Sequence, residues 1–105
     1  MNRQQQIDSF LLAAHRLAVS RLREEPQRIE PVRAQLARWR AQSGATRSDP
    51  YWDEWQRLLA VDIREMERVV CADDERGAAL RSVSPLSTLI TQSERAQLLR
   101  EARGA

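Results

Sequence analysis

Ile7-Asp8-Ser9-Phe10-Leu11-Leu12-Ala13-Ala14-His15-Arg16-Leu17-Ala18-Val19-Ser20-Arg21-Leu22-Arg23-Glu24 is the stretch that decides the fold class. Ile7, Phe10, Leu11, Ala14, Leu17, Ala18 and Leu22 recur at helical spacing and share one face of an α-helix over 7–24. Arg16, Ser20 and Arg23 take the opposite side. Leu12 and Val19 form a second apolar line beside the first. A helix that is apolar over more than one stripe is either deeply buried or touches a second body. A second copy of the chain would be one such body, which makes a homodimer or a structural homo-oligomer one candidate assembly.

The pattern continues outward from this helix. Pro26 ends it, and Ile29, Val32, Leu36 and Trp39 mark a second helix over about 27–42. Pro31 falls inside that pattern. Proline lacks an N–H and clashes with the preceding turn, so the helix either kinks there or begins with Pro31 in its first turn. Gly44 suits the stop, and residues 43–49 form a loop. Ser48 or Asp49 can cap a third helix, with Pro50 at its start and Tyr51, Trp52, Trp55, Leu58 and Leu59 as its apolar set. Asp62 and Glu65 resemble a capping box before a fourth helix over 63–71. Asp73-Asp74-Glu75 opens a fifth to about Ser82, Ser84-Pro85 breaks it, and Thr91 with Glu94 starts a sixth that runs to Arg103. No strand-like alternation of useful length, internal repeat or low-complexity segment interrupts this. The expectation is an all-α, compact single-domain bundle of five or six short helices over residues 1–105.

A chain of 105 residues is long enough for one hydrophobic core and too short for two. All 17 basic residues are arginine. Arginine makes bidentate bonds to carboxylates and phosphates and stacks on aromatic rings, which suits polar interfaces. The charge is uneven. Residues 1–47 hold nine arginines and four acids, a balance of +5; residues 48–105 hold eight and eleven, a balance of −3. Cys71 is the only cysteine, so no internal disulfide forms, and its apolar neighbours make it a small core residue. No run approaches the ~20 apolar residues that cross a bilayer, and the N-terminus has no secretory signal pattern. The cytoplasm is the expected compartment, with no membrane partner.

Chemistry needs clustered ligands or nucleophiles, and the sequence has one histidine and one cysteine, far apart. His15 reads as a residue on the border of the first helix's apolar face. Asp73-Asp74-Glu75 reads as a helix cap rather than a metal site. No catalytic residue, cofactor or metal is expected, and the protein reads as a non-enzyme.

Binding of another macromolecule remains. Arg33, Arg38 and Arg40 run along the second helix with Trp39 among them, a pattern that suits phosphate contacts and base stacking. Operator DNA is therefore a candidate partner, and a DNA-binding regulator using the basic N-terminal half a candidate function. The short helices at 63–71 and 74–82 are too acidic to lie beside phosphates as a recognition pair. Tyr51, Trp52 and Trp55 crowd one helix, and Tyr51 and Trp52 point about 100° apart, so one core cannot easily bury all three. Tyrosine and tryptophan dominate binding hot spots.

The stretch Ser48-Asp49-Pro50-Tyr51-Trp52-Asp53-Glu54-Trp55-Gln56-Arg57-Leu58-Leu59, the later Leu80-Arg81-Ser82-Val83-Ser84-Pro85-Leu86, and Ser93-Glu94-Arg95 together resemble small helical bacterial proteins encoded beside toxin genes. The similarity spans about two-thirds of the chain, and Leu86 stands where those relatives have phenylalanine. The resemblance implies an antitoxin that sequesters a cognate toxin by direct contact. With the aromatic cluster it points to Tyr51, Trp52 and Trp55 as anchors and to Arg81 and Leu86 as a secondary surface.

Overall fold

Asn2 and Gln5 open the first helix. In the computed structural model, which describes residues 2–104, the Asn2 side chain accepts from the Gln5 N–H at 2.8 Å. The Gln5 side chain accepts from the Asn2 N–H at 3.0 Å. This reciprocal cap satisfies two donors that a bare helix end leaves open, so α1 runs Arg3–Glu24, a full turn earlier than hydrophobic spacing predicts. A 3₁₀ turn over Pro26–Arg28 leads into α2, Ile29–Ser43. Pro31 sits in the first turn of α2, where its missing N–H leaves no intrahelical bond unmade, so the helix starts beside it and does not kink. Gly44 ends α2 at φ 64°, in the left-handed region that a residue with a Cβ avoids.

The later helices are α3 (Asp49–Leu58), α4 (Ile63–Val70), α5 (Glu75–Ser82) and α6 (Gln92–Gly104), with a 3₁₀ turn over Pro85–Leu89 before the last. The Asp62 carboxylate accepts from the Glu65 N–H at 2.9 Å and opens α4. Asp74 does the same for α5 through the Gly77 N–H at 2.7 Å. Thr91 and Glu94 exchange both bonds of a capping box at α6, at 3.1 and 2.9 Å. The exception is α3, whose N-cap Ser48 makes no capping bond through its side chain; Pro50 is its second residue. The described residues form an all-α fold with six α-helices. None of those helices is long and apolar enough to cross a membrane.

Helix α1 is the axis around which the others pack: α4, α5, α6 and both 3₁₀ turns lie against it. Its buried positions are Phe10, Ala14, His15, Ala18, Val19 and Leu22. The buried stripe is therefore rotated from the one spacing suggests. Ile7 lies 40 % exposed near the helix start, and Leu17 is only half-buried. Val19 has no exposed surface, so it belongs to the chain's own core and offers nothing to a second copy. The Leu12/Val19 line does not carry a homodimer, because the helix is covered on more than one side. The main core joins Val19 and Leu22 to Val32 and Leu36 of α2, Trp55 and Leu58 of α3, Met66 and Val70 of α4, Leu80 of α5, and Leu86. A smaller cluster pairs Phe10 and Ala14 with Ala102 of α6.

One glycine is held by packing. A Cβ on Gly77 would press into the Ala72 carbonyl oxygen and stand 2.8 Å from the Arg81 Nη1. At an exposed helix position Gly→Ala gains up to about 1 kcal/mol. Gly77→Ala is expected to reverse that sign and lose about 2 kcal/mol by overpacking, measured as a lower urea midpoint at unchanged slope.

Candidate cleft between α1, α3 and α6

A cleft of about 520 Å³ opens where α1, the end of α2, α3, the segment after α5, and the start of α6 converge. That size is typical of small-molecule pockets. Trp39 and Trp52 are half-buried and line it together with Phe10 and Leu11. Its floor carries His15 and Arg81, and Arg95 lies near the mouth with its guanidinium carbon 5.0 Å from the centre of the Phe10 ring. Among the described residues no carboxylate lines the cleft.

Tryptophan N–H groups bring these walls together. Trp52 Nε1–H donates to the Val83 carbonyl at 3.2 Å, and Trp55 Nε1–H to the Leu80 carbonyl at 2.8 Å. Both bonds tie α3 to the end of α5, where the last carbonyls of a helix lack partners of their own. On the outer side, Arg40 reaches from α2 to Asp53 at 2.6 Å and to Gln56 at 3.1 Å, which clamps α2 to α3. Arg21 pairs with Glu94 and also donates to the Leu89 carbonyl at 2.8 Å, which fixes the start of α6.

His15 is a core residue, not a boundary one, with 4 % of its surface exposed. Its Nδ1 lies 2.7 Å from the Leu11 carbonyl. A carbonyl only accepts, so this bond places the proton on Nδ1 and leaves Nε2 as a free acceptor. The ring is tilted against Trp55 with centroids 6.2 Å apart. Burial pushes the His15 pKa down to about 4; the Leu11 bond opposes this, and the Arg81 charge adds to it. The folded value lies below the ordinary histidine value of about 6.5, so the unfolded chain binds the extra proton first. Stability is unaffected above about pH 6.5 and falls as pH drops from there towards 4, by up to about 3 kcal/mol. A His15→Leu variant is expected to lose this slope in urea titrations between pH 7 and 4. Glu94 acts in a lower window. Its bond to Arg21, and then its bond to the Thr91 N–H, hold its pKa at about 2, so its contribution is full above about pH 4.5 and fades as pH falls towards 2.

Arg81 is 3 % exposed. Its Nη1 donates to the Val70 carbonyl at 2.9 Å and the Ala72 carbonyl at 2.7 Å, closing the C-terminal end of α4. Among the described residues no carboxylate pairs with it, and its Nε–H meets no acceptor.

The five anchor residues expected from sequence thus separate. Tyr51 is 42 % exposed and lies on the outer face, and Trp52 is half-buried on the cleft wall. Trp55 and Leu86 have no exposed surface and Arg81 nearly none, so these three do not serve as surface anchors. Trp55 and Leu86 belong to the core, and Arg81 lies beneath the cleft. Trp39, assigned by spacing to the core stripe, is half-buried on the cleft wall and lies outside the core cluster.

The basic stripe on α2 is partly met within the molecule. Arg33 bonds Glu30 and the Leu59 carbonyl, and Arg40 bonds Asp53. Arg38 bonds the neutral Gln35 at 2.7 Å. Asp74 caps α5 as its position suggests. Cys71 is half-buried against the core, and burial raises its thiol pKa. Among the described residues no three His, Cys, Asp or Glu side chains gather closely enough to hold a metal ion.

The chain matches no protein-family model, no curated protein and no solved structure.

His15, Phe10 and Arg95 are cleft residues that sequence reasoning assigned to no site, and Trp39 is one it placed on the core stripe or beside the basic stripe of α2 instead. The signal for the cleft that the sequence did carry was the crowding of Tyr51, Trp52 and Trp55 on one helix, of which Trp52 lines the cleft.

Proposed function

We propose that this protein is a non-catalytic binding module that captures a partner protein through the cleft and its aromatic rim. The finer reading is that of an antitoxin holding a cognate toxin, the role implied by the resemblance of the aromatic helix and the Leu80–Leu86 segment. The observation that supports it is the cleft itself. Its two half-buried tryptophans, Trp39 and Trp52, stand on a lining with two guanidinium groups and, among the described residues, no acid. Indole rings on such a wall offer large, rigid contact area, and the exposed Tyr51 extends the aromatic surface on α3.

The test is co-purification of the tagged chain with the products of its neighbouring genes. A neighbour that elutes in stoichiometric amount and arrests growth when expressed alone is the expected result. Trp39→Ala is then expected to weaken the complex by about 2 kcal/mol, roughly thirtyfold in Kd, with little change in thermal stability. A chain that elutes alone, or with nucleic acid that high salt removes, overturns the proposal.

A further inference from the structure

Two buried polar side-chain atoms have no partner among the described residues, His15 Nε2 and Arg81 Nε, and both residues line the same cleft. They are of opposite kinds. The bond from His15 Nδ1–H to Leu11 leaves Nε2 as an acceptor, whereas Arg81 Nε–H is a donor. Folded proteins rarely leave such groups unmet, because each costs the free energy of lost hydration. Arg81 adds a second imbalance. It is a buried cation held by two backbone carbonyls and, among the described residues, by no counter-ion. Arg95 brings another positive charge to the lining, and no negative one among the described residues answers them.

We infer that the cleft recognises a carboxylate on an apolar residue with an adjacent N–H, the chemistry of a chain's C-terminal residue. The carboxylate lies in the field of Arg81 and Arg95. Arg81 Nε–H and His15 Nε2 are closed to solvent in the free chain, so side chains over the floor shift on binding; the carboxylate then accepts from Arg81 Nε–H and the neighbouring N–H donates to His15 Nε2. The apolar side chain packs against Trp39 and Trp52. A phosphate fits less well, since it brings up to two charges into a lining with many apolar side chains. The assignment of this group to the partner rests on the binding role proposed above; the chemistry of the floor does not.

The experiment uses N-acetyl-L-phenylalanine as the probe and follows the indole N–H signals of Trp39 and Trp52 by NMR. At about 0.3 kcal/mol per non-hydrogen atom, a probe of about 15 such atoms binds with a Kd on the order of 1 mM. The acid is expected to shift both signals, and N-acetyl-L-phenylalaninamide to bind at least about tenfold more weakly, as expected for loss of a charge-assisted contact. Arg95→Gln, at the exposed mouth, is expected to weaken the acid severalfold without disturbing the fold. His15→Leu is expected to weaken it as well. Equal binding of acid and amide, or indole signals that stay unmoved by the acid, overturns the inference and leaves the partner complex to stand or fall by co-purification. Displacement of a co-purified partner by the acid supports the partner as the source of the carboxylate. A complex that saturating acid leaves intact overturns that source.

Discussion

Trp55→Ala is expected to lose about 4 kcal/mol of stability, a large share of what a domain of this size possesses. Trp55 has no exposed surface and joins α1, α3, α4 and α5 in one core. Deleting a buried tryptophan costs about 3–5 kcal/mol through lost transfer energy and the cavity left behind. The change also strips the Leu80 carbonyl of the donor that meets it at 2.8 Å and removes the ring against His15. Total stability for such a domain is about 5–15 kcal/mol. Urea denaturation followed by circular dichroism is expected to show a midpoint lowered by about 2 M, for a slope of about 2 kcal/mol/M. Trp55→Phe refills much of the volume but cannot donate to Leu80, so it is expected to recover only about half of the loss. A loss below about 1 kcal/mol for Trp55→Ala contradicts its placement at the centre of the core.

Arg81→Met is expected to cost about 3–4 kcal/mol although it removes a buried charge. The side chain bridges the Val70 and Ala72 carbonyls, at 2.9 and 2.7 Å, where α4 has run out of its own donors. Each bond from a charged donor contributes about 1.5–3 kcal/mol, and the carbonyls left behind are shielded from water. Relief of the unpaired guanidinium offsets part of this, which keeps the figure below the sum of two such bonds. Arg81→Lys is expected to recover little. Its ammonium is a compact, strongly hydrated charge without the planar fork that spans the two carbonyls. An Arg81→Met variant as stable as the parent, by urea midpoint at pH 7, would show that the α4–α5 turn does not depend on this side chain.

The gap between sequence and structure is instructive at His15. Spacing placed it on the border of an apolar face, and an isolated α1 would leave it there. In the folded chain the buried stripe runs through Phe10, Ala14, His15, Ala18 and Leu22, because α5 and the segment after it close over that side of α1. Arg81, expected on a surface from the resemblance, is buried as well. Arginine is almost never fully buried, and only a helix end with unmet carbonyls makes burial tolerable. Trp55 and Trp52 are three apart and share a helix face, yet one lies in the core and the other on a cleft wall. Periodicity identifies the apolar side of a helix but not the depth of its cover.

Sequence by itself determined the local structure of this protein. Apolar spacing, Pro26, Gly44, the caps at Asp62, Asp74 and Thr91, and the break at Ser84-Pro85 specify six helices with their approximate ends, since each signal acts within one or two turns of the chain. Tertiary structure alone decided which aromatic residues face outward, which charges are buried, and where a cleft remains. Those outcomes depend on groups far apart in sequence, such as Trp55 with Leu80, Arg21 with Glu94, and His15 with Arg81. Their energies appear only when packing removes water from both partners.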